Sequence, residues 1–320
     1  MMVKSIFRPS NDSARAGSVL LAVLCIMALL SFLVINTALI TNIQGETQAA
    51  RQSLMRAHEL AEMGVAVAAH PLIKPGDPLL SRDVSTIERF EASVTTEESR
   101  LNLNHLLTQG QAPVLERVFE AWGLPAAEAQ GLAAILMDWT DPDDLKRRPD
   151  SAEKLDYQHE NPAVMPLNRP FSSLDEVEQV PRMAALAEKM PEWRSWFTLR
   201  GSGQVDLNTA DEKVIAAVTG ASLLDARLLV QGRDGLDHRS GTDDDMPVTS
   251  FEQALSILGV GGDHATTVQP LLTLQGPTKR VESVGIAGES KCAIVMVVSS
   301  KQDGGQQIEE WRESPGGVAR

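Results

Sequence analysis

The stretch "RAGSVLLAVL" (15–24) decides the fold, because it places a glycine between a basic tail and a long apolar run. Ser18–Gly45 holds no charged residue, and Val19–Ile35 within it is almost wholly apolar. A run of this length spans a bilayer and exceeds the usual core of a cleaved signal peptide. Basic residues favour the cytoplasmic side, so the amino end is predicted inside and the bulk of the chain outside. The basic residues upstream are Lys4, Arg8 and Arg15.

A helical pattern continues beyond the apolar run. No proline interrupts the chain from there to Pro71, and small or apolar residues recur at the spacing of one helix face. These residues are Ala50, Leu54, Ala57, Ala61, Gly64, Val65 and Ala68. The sequence therefore predicts one helix over 18–70, transmembrane over 18–40, whose second half packs on a soluble domain.

Three interpretations of the amino-terminal segment compete. It is a plain signal anchor, a signal peptide cleaved after the apolar run, or a prepilin leader (1–17) cut between Gly17 and Ser18. The apolar run is followed by no good small-x-small site, which disfavours the second interpretation. Most prepilins carry glutamate five residues after the cut, where this chain has Ala22. At this point the first and third interpretations remain open.

Strand patterns flank a helical middle region. Alternation in "FEASV" (90–94) predicts a strand, and 278–314 reads as strand, turn, strand, turn, strand. We assign 71–100 and 278–320 to a small sheet that the long helix covers, and 101–277 to helices. The long polar segment 140–170 carries several prolines and no periodicity, and loops of this length in compact domains need a reason.

The helical region contains a diverged duplication. "SRLNLNHLL" (99–107) and "GQVDLNTAD" (203–211) each lead from a short strand end into a helix, and a Ser–Phe segment precedes a later helix in both copies. We place repeat 1 at about 101–190 and repeat 2 at about 204–275. In both copies the asparagine or threonine of this junction is expected to cap the helix that follows.

Composition excludes several classes of function. The formal net charge of −14 repels phosphate backbones and argues against a nucleic-acid partner. The two cysteines form no CxxC pair, and the six histidines show no HxxxH or HExxH spacing. No nucleophile elbow, Walker or dinucleotide motif occurs, so we predict a protein that is not an enzyme.

An acidic cluster in "DWTDPDD" (138–144) is the strongest candidate for a site. Closely spaced carboxylates supply the hard oxygen ligands of Ca²⁺. The alternative is a solvated acidic loop in an acidic protein, because the frame of an EF-hand is missing. The candidate ligands are Asp138, Asp141, Asp143, Asp144, Glu153 and Asn168. Asp243–Asp245 forms a weaker second cluster.

A second functional interpretation comes from "VDLNTADEKVIAAVTGASLLDARLLVQGRDG" (205–235). This segment resembles the helix-hairpin-helix modules of DNA-uptake proteins, in which a glycine-rich hairpin offers backbone N–H groups to phosphate. Here the turn reads "TGAS", with Asp225, Asp234 and Asp237 around it. The alternative function is therefore a membrane-anchored DNA-binding protein of a competence or type IV pilus-like system.

Together these segments resemble the minor pseudopilin K family of type II secretion, also called general secretion pathway protein K. The motifs are the glycine-terminated leader, "RAHELAEMGVAVA" (56–68), "LMDWTDPDD" (136–144), "YQHENPAVMPLNRPFSSLDEVEQV" (157–180) and "VDLNTA" (205–210). This family characteristically lacks the glutamate that Ala22 replaces. The resemblance therefore favours cleavage between Gly17 and Ser18.

The resemblance implies an α+β fold in which a pilin-like long helix packs on a small antiparallel sheet. A large α-helical domain of two diverged helix-hairpin-helix/SAM-like repeats is inserted between them. It implies processing by a prepilin peptidase, methylation, a single-pass inner-membrane anchor and a periplasmic bulk. It also implies bound calcium and a place at the tip of the pseudopilus with the I and J minor pseudopilins. Further expected partners are the major pseudopilin and a secreted substrate.

Overall fold

A computed structural model describes residues 12–149, 151–160, 165–238, 240–242, 244–300 and 305–316. The first eleven residues of the predicted leader lie outside this set. The chain divides into two compact units, one ending at Met55 and the other starting at Arg56.

The long amino-terminal helix is confirmed as α1, Asp12–Ala69. It starts six residues before the predicted Ser18, because nothing between Asp12 and Gly17 prevents helix formation. Val19–Thr37 is long and apolar enough to cross a membrane, and none of it is buried. This span agrees with the predicted anchor.

A small antiparallel sheet is also confirmed, and its strand order is β1-β2-β7-β8-β9. All neighbouring strands in it run antiparallel, with one irregularity in register between Val297 and Val298. The strands are β1 (Ser81–Asp83), β2 (Glu88–Thr96), β7 (Thr278–Ala287), β8 (Ser290–Ser300) and β9 (Gln306–Pro315).

The carboxyl-terminal part of α1, from Arg56 onward, packs closely on this sheet. Ala57, Leu60 and Ala61 are fully buried. A Cβ added to Gly285 would lie 1.9 Å from the carbonyl oxygen of Ala57, and one added to Gly64 would lie 2.2 Å from Ser283 Oγ. Gly285 therefore lets the helix and strand backbones approach closely, and Gly64 leaves room for the Ser283 side chain.

Helices fill the chain between β2 and β7, in two halves. A pair of parallel two-residue strands closes each half. In the first half β3 (Leu101–Asn102) pairs with β4 (Phe197–Thr198), and in the second β5 (Val205–Asp206) pairs with β6 (Leu272–Thr273). The first and last strands of each half therefore lie side by side.

The first half holds α2 (Leu103–Thr108), α3 (Ala112–Ala121), α4 (Ala126–Thr140), α5 (Lys154–Glu160), α6 (Leu174–Val177), α7 (Pro181–Lys189) and α8 (Trp193–Trp196). The second holds α9 (Glu212–Thr219), α10 (Leu223–Arg233), α11 (Phe251–Ile257) and α12 (Gly262–Val268). One apolar core runs through both halves. Within it, Trp122 makes edge-on contacts to Phe119, Trp196 and Phe197.

The capping prediction holds for the first half and is wrong for the second. Asn102 caps α2 by accepting from the backbone N–H of His105, whereas Asp211 caps α9. Asn104 instead bonds both the N–H and the C=O of Phe171, each at 2.9 Å. Asn208 likewise bonds the N–H and the C=O of Val248, at 2.7 and 3.0 Å. Each asparagine thus links the start of its half, through hydrogen bonds, to the segment before a later helix. That helix is α6 in the first half and α11 in the second.

Candidate functional site

The acidic loop follows α4 and is anchored by a fully buried carboxylate. Asp138 lies in the last turn of α4, where the negative end of the helix dipole disfavours a second negative charge. Its exposed fraction is 0 %. The Ser151 hydroxyl and the backbone N–H of Arg147 donate hydrogen bonds to it, the latter at 3.1 Å. Arg147 also approaches with its guanidinium, Nε lying 3.3 Å from Asp138 Oδ1.

Asp141 is satisfied on one side only. Its Oδ2 accepts from Arg147 Nη2 at 2.9 Å, while its Oδ1 is buried and has no hydrogen-bond partner. Burial raises the pKa of Asp141 above its usual range, although Arg147 opposes the change. The charges of Asp143 and Asp138 add to the increase in this pKa.

Glu153 is the least satisfied group of the loop. Its exposed fraction is 2 %, and neither side-chain oxygen makes a hydrogen bond of good geometry. Burial, followed by the negative charge of Asp138, raises the pKa of Glu153 to about 7, and the Lys154 backbone amide offsets only part of this. Asp141 and Asp144 raise the pKa further. A buried carboxylate among other carboxylates is stabilised by a bound cation.

The remaining predicted ligands are turned toward local partners. Asp143 accepts from the backbone N–H of Leu145 at 2.8 Å. Asn168, with a left-handed φ of 48°, donates through Nδ2 to Asp144 at 3.4 Å. Hence the charges of Asp138, Asp141 and Asp144 act on Glu153, whereas Asp143 stabilises its own turn.

The oxygens of this donor set are of the kind that Ca²⁺ binds, but the set is not closed around an ion. Three buried carboxylate oxygens, one on Asp141 and two on Glu153, make no hydrogen bond of good geometry, and Ca²⁺ takes six to eight oxygen ligands. Among the described residues, no three His, Cys, Asp or Glu side chains stand together as a metal-binding group. Sequence reasoning missed Arg147 and Ser151, because "LKRRPDS" (145–151) gives no sign of which residue folds back.

The second acidic cluster differs in its partners. Asp244 accepts from the backbone N–H groups of Leu236 and Asp237 and from the Thr242 hydroxyl, at 2.6, 3.2 and 2.8 Å. The Thr242 bond first, then these amides, lower the pKa of Asp244. Asp245 accepts from the N–H of Gly241 at 2.7 Å. Asp243 lies outside the described residues.

The hairpin between α9 and α10 is held by side chains that bond its backbone carbonyls. Arg117 donates to the carbonyl oxygens of Ala217 and Val218 at 2.6 and 3.2 Å, and His264 Nε2 lies 2.8 Å from that of Thr219. At the start of α10, Ser222 Oγ caps the helix and donates to Asp225. A negative side chain therefore lies where a phosphate would have to bind.

The predicted cleavage position lies within α1. Gly17 and Ser18 directly precede the apolar span that starts at Val19. Their backbone is helical. Cleavage between them stays a prediction.

Two comparisons with known proteins give matches, one over the first half of the helical region and one over most of the chain. Residues 99–190 match the family model of type II secretion system protein K. A crystal structure of the GspK–GspI–GspJ complex from the type 2 secretion system of enterotoxigenic Escherichia coli contains a chain of similar fold. The TM-score is 0.60 at 16 % identity, over 86 % of this chain and 99 % of that one. A search of curated protein sequences finds no match. The resemblance drawn from the sequence is thereby confirmed.

Proposed function

We propose that this chain, which carries the type II secretion protein K domain over residues 99–190, is a minor pseudopilin at the tip of the pseudopilus. In this role it promotes pseudopilus assembly and protein export across the outer membrane, without catalysing a reaction. The observation that carries the proposal is the position of that domain. It follows an amino-terminal helix with a membrane span and is inserted within the small antiparallel sheet, between β2 and β7, instead of between the helix and the sheet as the resemblance implied.

The amino-terminal sequence fits a tip position. Position five of the processed helix would be Ala22, where other pilin-like subunits carry glutamate. A carboxylate in lipid is expensive unless it is paired, and in a filament it pairs with the amino terminus of a neighbouring subunit above. The topmost subunit has no such neighbour. The helical domain, too bulky for a tightly wound filament, is tolerated at the same place.

The proposed partners follow from the solved complex. Its title records GspK together with GspI and GspJ, so we propose I- and J-type minor pseudopilins as partners of this chain. The major pseudopilin lies below them, and a secreted substrate contacts the tip. The apolar span anchors the chain in the inner membrane, with its bulk in the periplasm.

Processing by a prepilin peptidase, with methylation of the new amino terminus, precedes assembly in this proposal. The peptidase cuts between Gly17 and Ser18. Co-expression with the peptidase tests the cut, and Gly17→Asp is expected to block it. A product of unchanged size for the natural chain would contradict the proposal, and Gly45→Asp is the matched control within the same helix.

The two halves of the helical region are proposed to be diverged helix-hairpin-helix/SAM-like repeats. Two features support this, namely the parallel strand pair that closes each half and the bonds of Asn104 and Asn208 to Phe171 and Val248. The acidic loops at 141–153 and 234–245 then occupy corresponding places.

Calcium is proposed to bind in the first of these loops. Asp138, Asp141 and Glu153 would hold the ion, with Asp144 at the margin and Asn168 behind it. When bound, Ca²⁺ neutralises buried carboxylates and fixes a long loop. The full-length protein in detergent is expected to unfold at a higher temperature in millimolar Ca²⁺ than in chelator. Equal unfolding temperatures would reject the ion.

Deletion of the gene tests the function as a whole. We expect the deletion strain to retain exported proteins in the periplasm, and the natural gene to restore their release. A gene without residues 99–190 should fail to restore it although the product is made. Intact secretion together with lost DNA uptake would instead favour the alternative, a DNA-binding protein of a competence system.

A further inference from the structure

A cavity of about 310 Å³ lies between the two halves of the helical region. Its walls come from α3 and α8 on one side and from α9 and α10 on the other. Most of the lining is apolar and consists of two indoles, Trp122 and Trp196, together with Met190, Leu223 and four alanines. Cavities of this size with aromatic and aliphatic walls are the usual places where a protein binds an apolar group.

The cavity also carries two cations that lack a carboxylate partner. Arg117 and Lys213 line it, and among the described residues neither makes an ion pair with an acidic side chain. Glu192 lines the same cavity but contacts neither of them in this way. Burial lowers the pKa of Arg117, although the charges of Glu116 and Glu120 oppose the change. Two unpaired cations beside an apolar cavity favour an occupant that carries negative charge.

Hydrogen-bond donors of the wall are left unused as well. The Nε and Nη2 atoms of Arg117 donate to the carbonyl oxygens of Ala217 and Val218, which fixes the guanidinium in place. Its Nη1 makes no hydrogen bond to any described residue. The buried Nε1 of Trp122 also has no hydrogen-bond partner of good geometry, and buried donors without acceptors are uncommon. Oxygen acceptors on an occupant therefore fit this wall.

A larger cleft between the helical region and the sheet differs in this respect. It measures about 850 Å³, and four arginines line it. Each of them lies within 3.6 Å of a carboxylate. These arginines are Arg100, Arg194, Arg280 and Arg312. The chain balances their charges itself, so the larger cleft presents no unpaired cation to an occupant.

The apolar surface continues beyond the smaller cavity along α10. Leu223, which lines the cavity, is 45 % exposed. Leu224 and Leu228 lie about one turn apart on the same helix and are 66 % and 52 % exposed. A small molecule that fills only the cavity would leave these two leucines in water. Exposed apolar surface of this kind marks a protein interface, so the occupant that covers all of it is a segment of a protein.

We propose that this face of the helical region is a docking site for a segment of a partner protein in which carboxylates flank a large apolar side chain. The apolar side chain fills the cavity beside Trp122 and Trp196 and anchors the segment. The flanking carboxylates pair with Lys213 and Arg117. A further apolar side chain of the segment covers the exposed leucines of α10. The site is defined by α3, α8, α9 and α10 alone, so it does not depend on the proposed place in a pseudopilus.

Saturation-transfer NMR of synthetic peptides with the full-length protein in detergent tests the charges, with detergent alone as the blank. We expect the peptide acetyl-Asp-Phe-Asp-Ala-Leu-amide to bind, and its Asn-Phe-Asn counterpart to bind about tenfold more weakly because two ion pairs are lost. Lys213→Gln should weaken the acidic peptide about threefold, the effect of one exposed ion pair. Lys291→Gln is the matched control, since it removes the same charge from an exposed position of the sheet, and no change is expected. Equal binding of the two peptides, or no binding at millimolar concentration, overturns the proposal.

Two further variants test the cavity and the exposed leucines separately. Ala121→Trp should abolish peptide binding by filling the cavity, whereas Ala127→Trp, exposed on α4 outside the lining, should bind like the natural chain. Ala216→Leu fills the same cavity from α9 and replaces Ala121→Trp if thermal unfolding shows that variant to be misfolded. Leu224→Gln should weaken the peptide about fivefold, because a leucine that the peptide covers is lost. Undiminished binding by the filled variants would place the peptide elsewhere, and undiminished binding by Leu224→Gln would confine the occupant to the cavity. Either result overturns the docking site as proposed.

Discussion

The two acidic loops of the helical region satisfy their carboxylates in opposite ways. In the second half, Asp244 and Asp245 lie in an exposed loop whose own backbone amides and Thr242 donate to them. In the first half, Asp138 and Glu153 are buried, and neither Glu153 oxygen makes a hydrogen bond of good geometry. The number of acidic residues is similar, yet among the described residues the first loop buries carboxylates that its own backbone does not satisfy, and the second does not.

This difference follows from where the carboxylates are attached. Asp138 belongs to α4, whose last ten residues are all buried, so its charge enters the core with the helix. Asp244 lies in a loop that closes on itself, so its charge stays in water. Burial and donor supply, rather than acidic composition, therefore separate a candidate metal site from a solvated turn.

The largest expected effect is on the buried aspartate. In chelator, Asp138→Asn should lower the free energy of unfolding by about 3 kcal/mol, because Arg147 and Ser151 lose a buried charged partner. Asp244→Asn removes a charge from an exposed turn, and a clearly smaller loss is expected. Chemical denaturation of both variants of the full-length protein measures this. Equal losses would remove the distinction between the loops.

The second largest effect is expected on stability when Asn104 or Asn208 is replaced. The two halves of the helical region should respond alike. Asn104→Ala leaves two backbone groups of Phe171 without partners. Asn208→Ala leaves those of Val248 and the carbonyl of Leu274 unpaired. Each should cost about 2 kcal/mol, with Asn208→Ala the larger. Thr108→Ala is the control, because its hydroxyl only bonds within the exposed face of α2. A large loss for one half alone would contradict their equivalence.

Much of this architecture could be predicted from local patterns. Hydropathy gave the anchor and alternation gave the strands, because each depends on neighbours along the chain. The partners of Asn104 and Asn208, by contrast, lie 67 and 40 residues away. The aspartates of the candidate site were visible in sequence, but Arg147 and Ser151 were not. Their contacts depend on the path of the polar segment after α4, which has no periodicity to indicate it.

A smaller effect is expected on the stabilisation by calcium when Glu153 is replaced. Glu153→Gln removes a buried carboxylate that has no hydrogen bond of good geometry, so the stabilisation that Ca²⁺ gives the natural chain should largely disappear. Asp245→Asn, in the second loop, should leave that stabilisation unchanged, because the Asp245 carboxylate already accepts from Gly241. Thermal unfolding in chelator and in millimolar Ca²⁺ provides the measurement. An undiminished calcium effect in Glu153→Gln would place the ion elsewhere.

The smallest expected effect is on the pH dependence of stability. It concerns Glu97, a carboxylate that is as buried as Glu153 but has partners on both oxygens. Glu97 bonds Arg100 at 2.6 Å, Arg280 at 3.0 Å and the Thr198 hydroxyl, where the first half meets the sheet. Burial alone would raise the pKa of Glu97, but the two arginines hold it below its usual 4.5.

The sign of the pH dependence follows from this direction. A lowered folded-state pKa gives stability that is fully present above pH 4.5 and is lost as the pH falls through the folded-state value. Chemical denaturation in chelator should therefore show a steeper acid loss for the natural chain than for Glu97→Gln. Glu91→Gln, which alters an exposed ion pair with Arg89 on the same sheet, should follow the natural chain. If the Glu97→Gln profile stayed parallel to the natural one, Glu97 would not be the partnered counterpart of Glu153. Buried carboxylates with hydrogen-bond and ion-pair partners would then not differ in pH dependence from those without them.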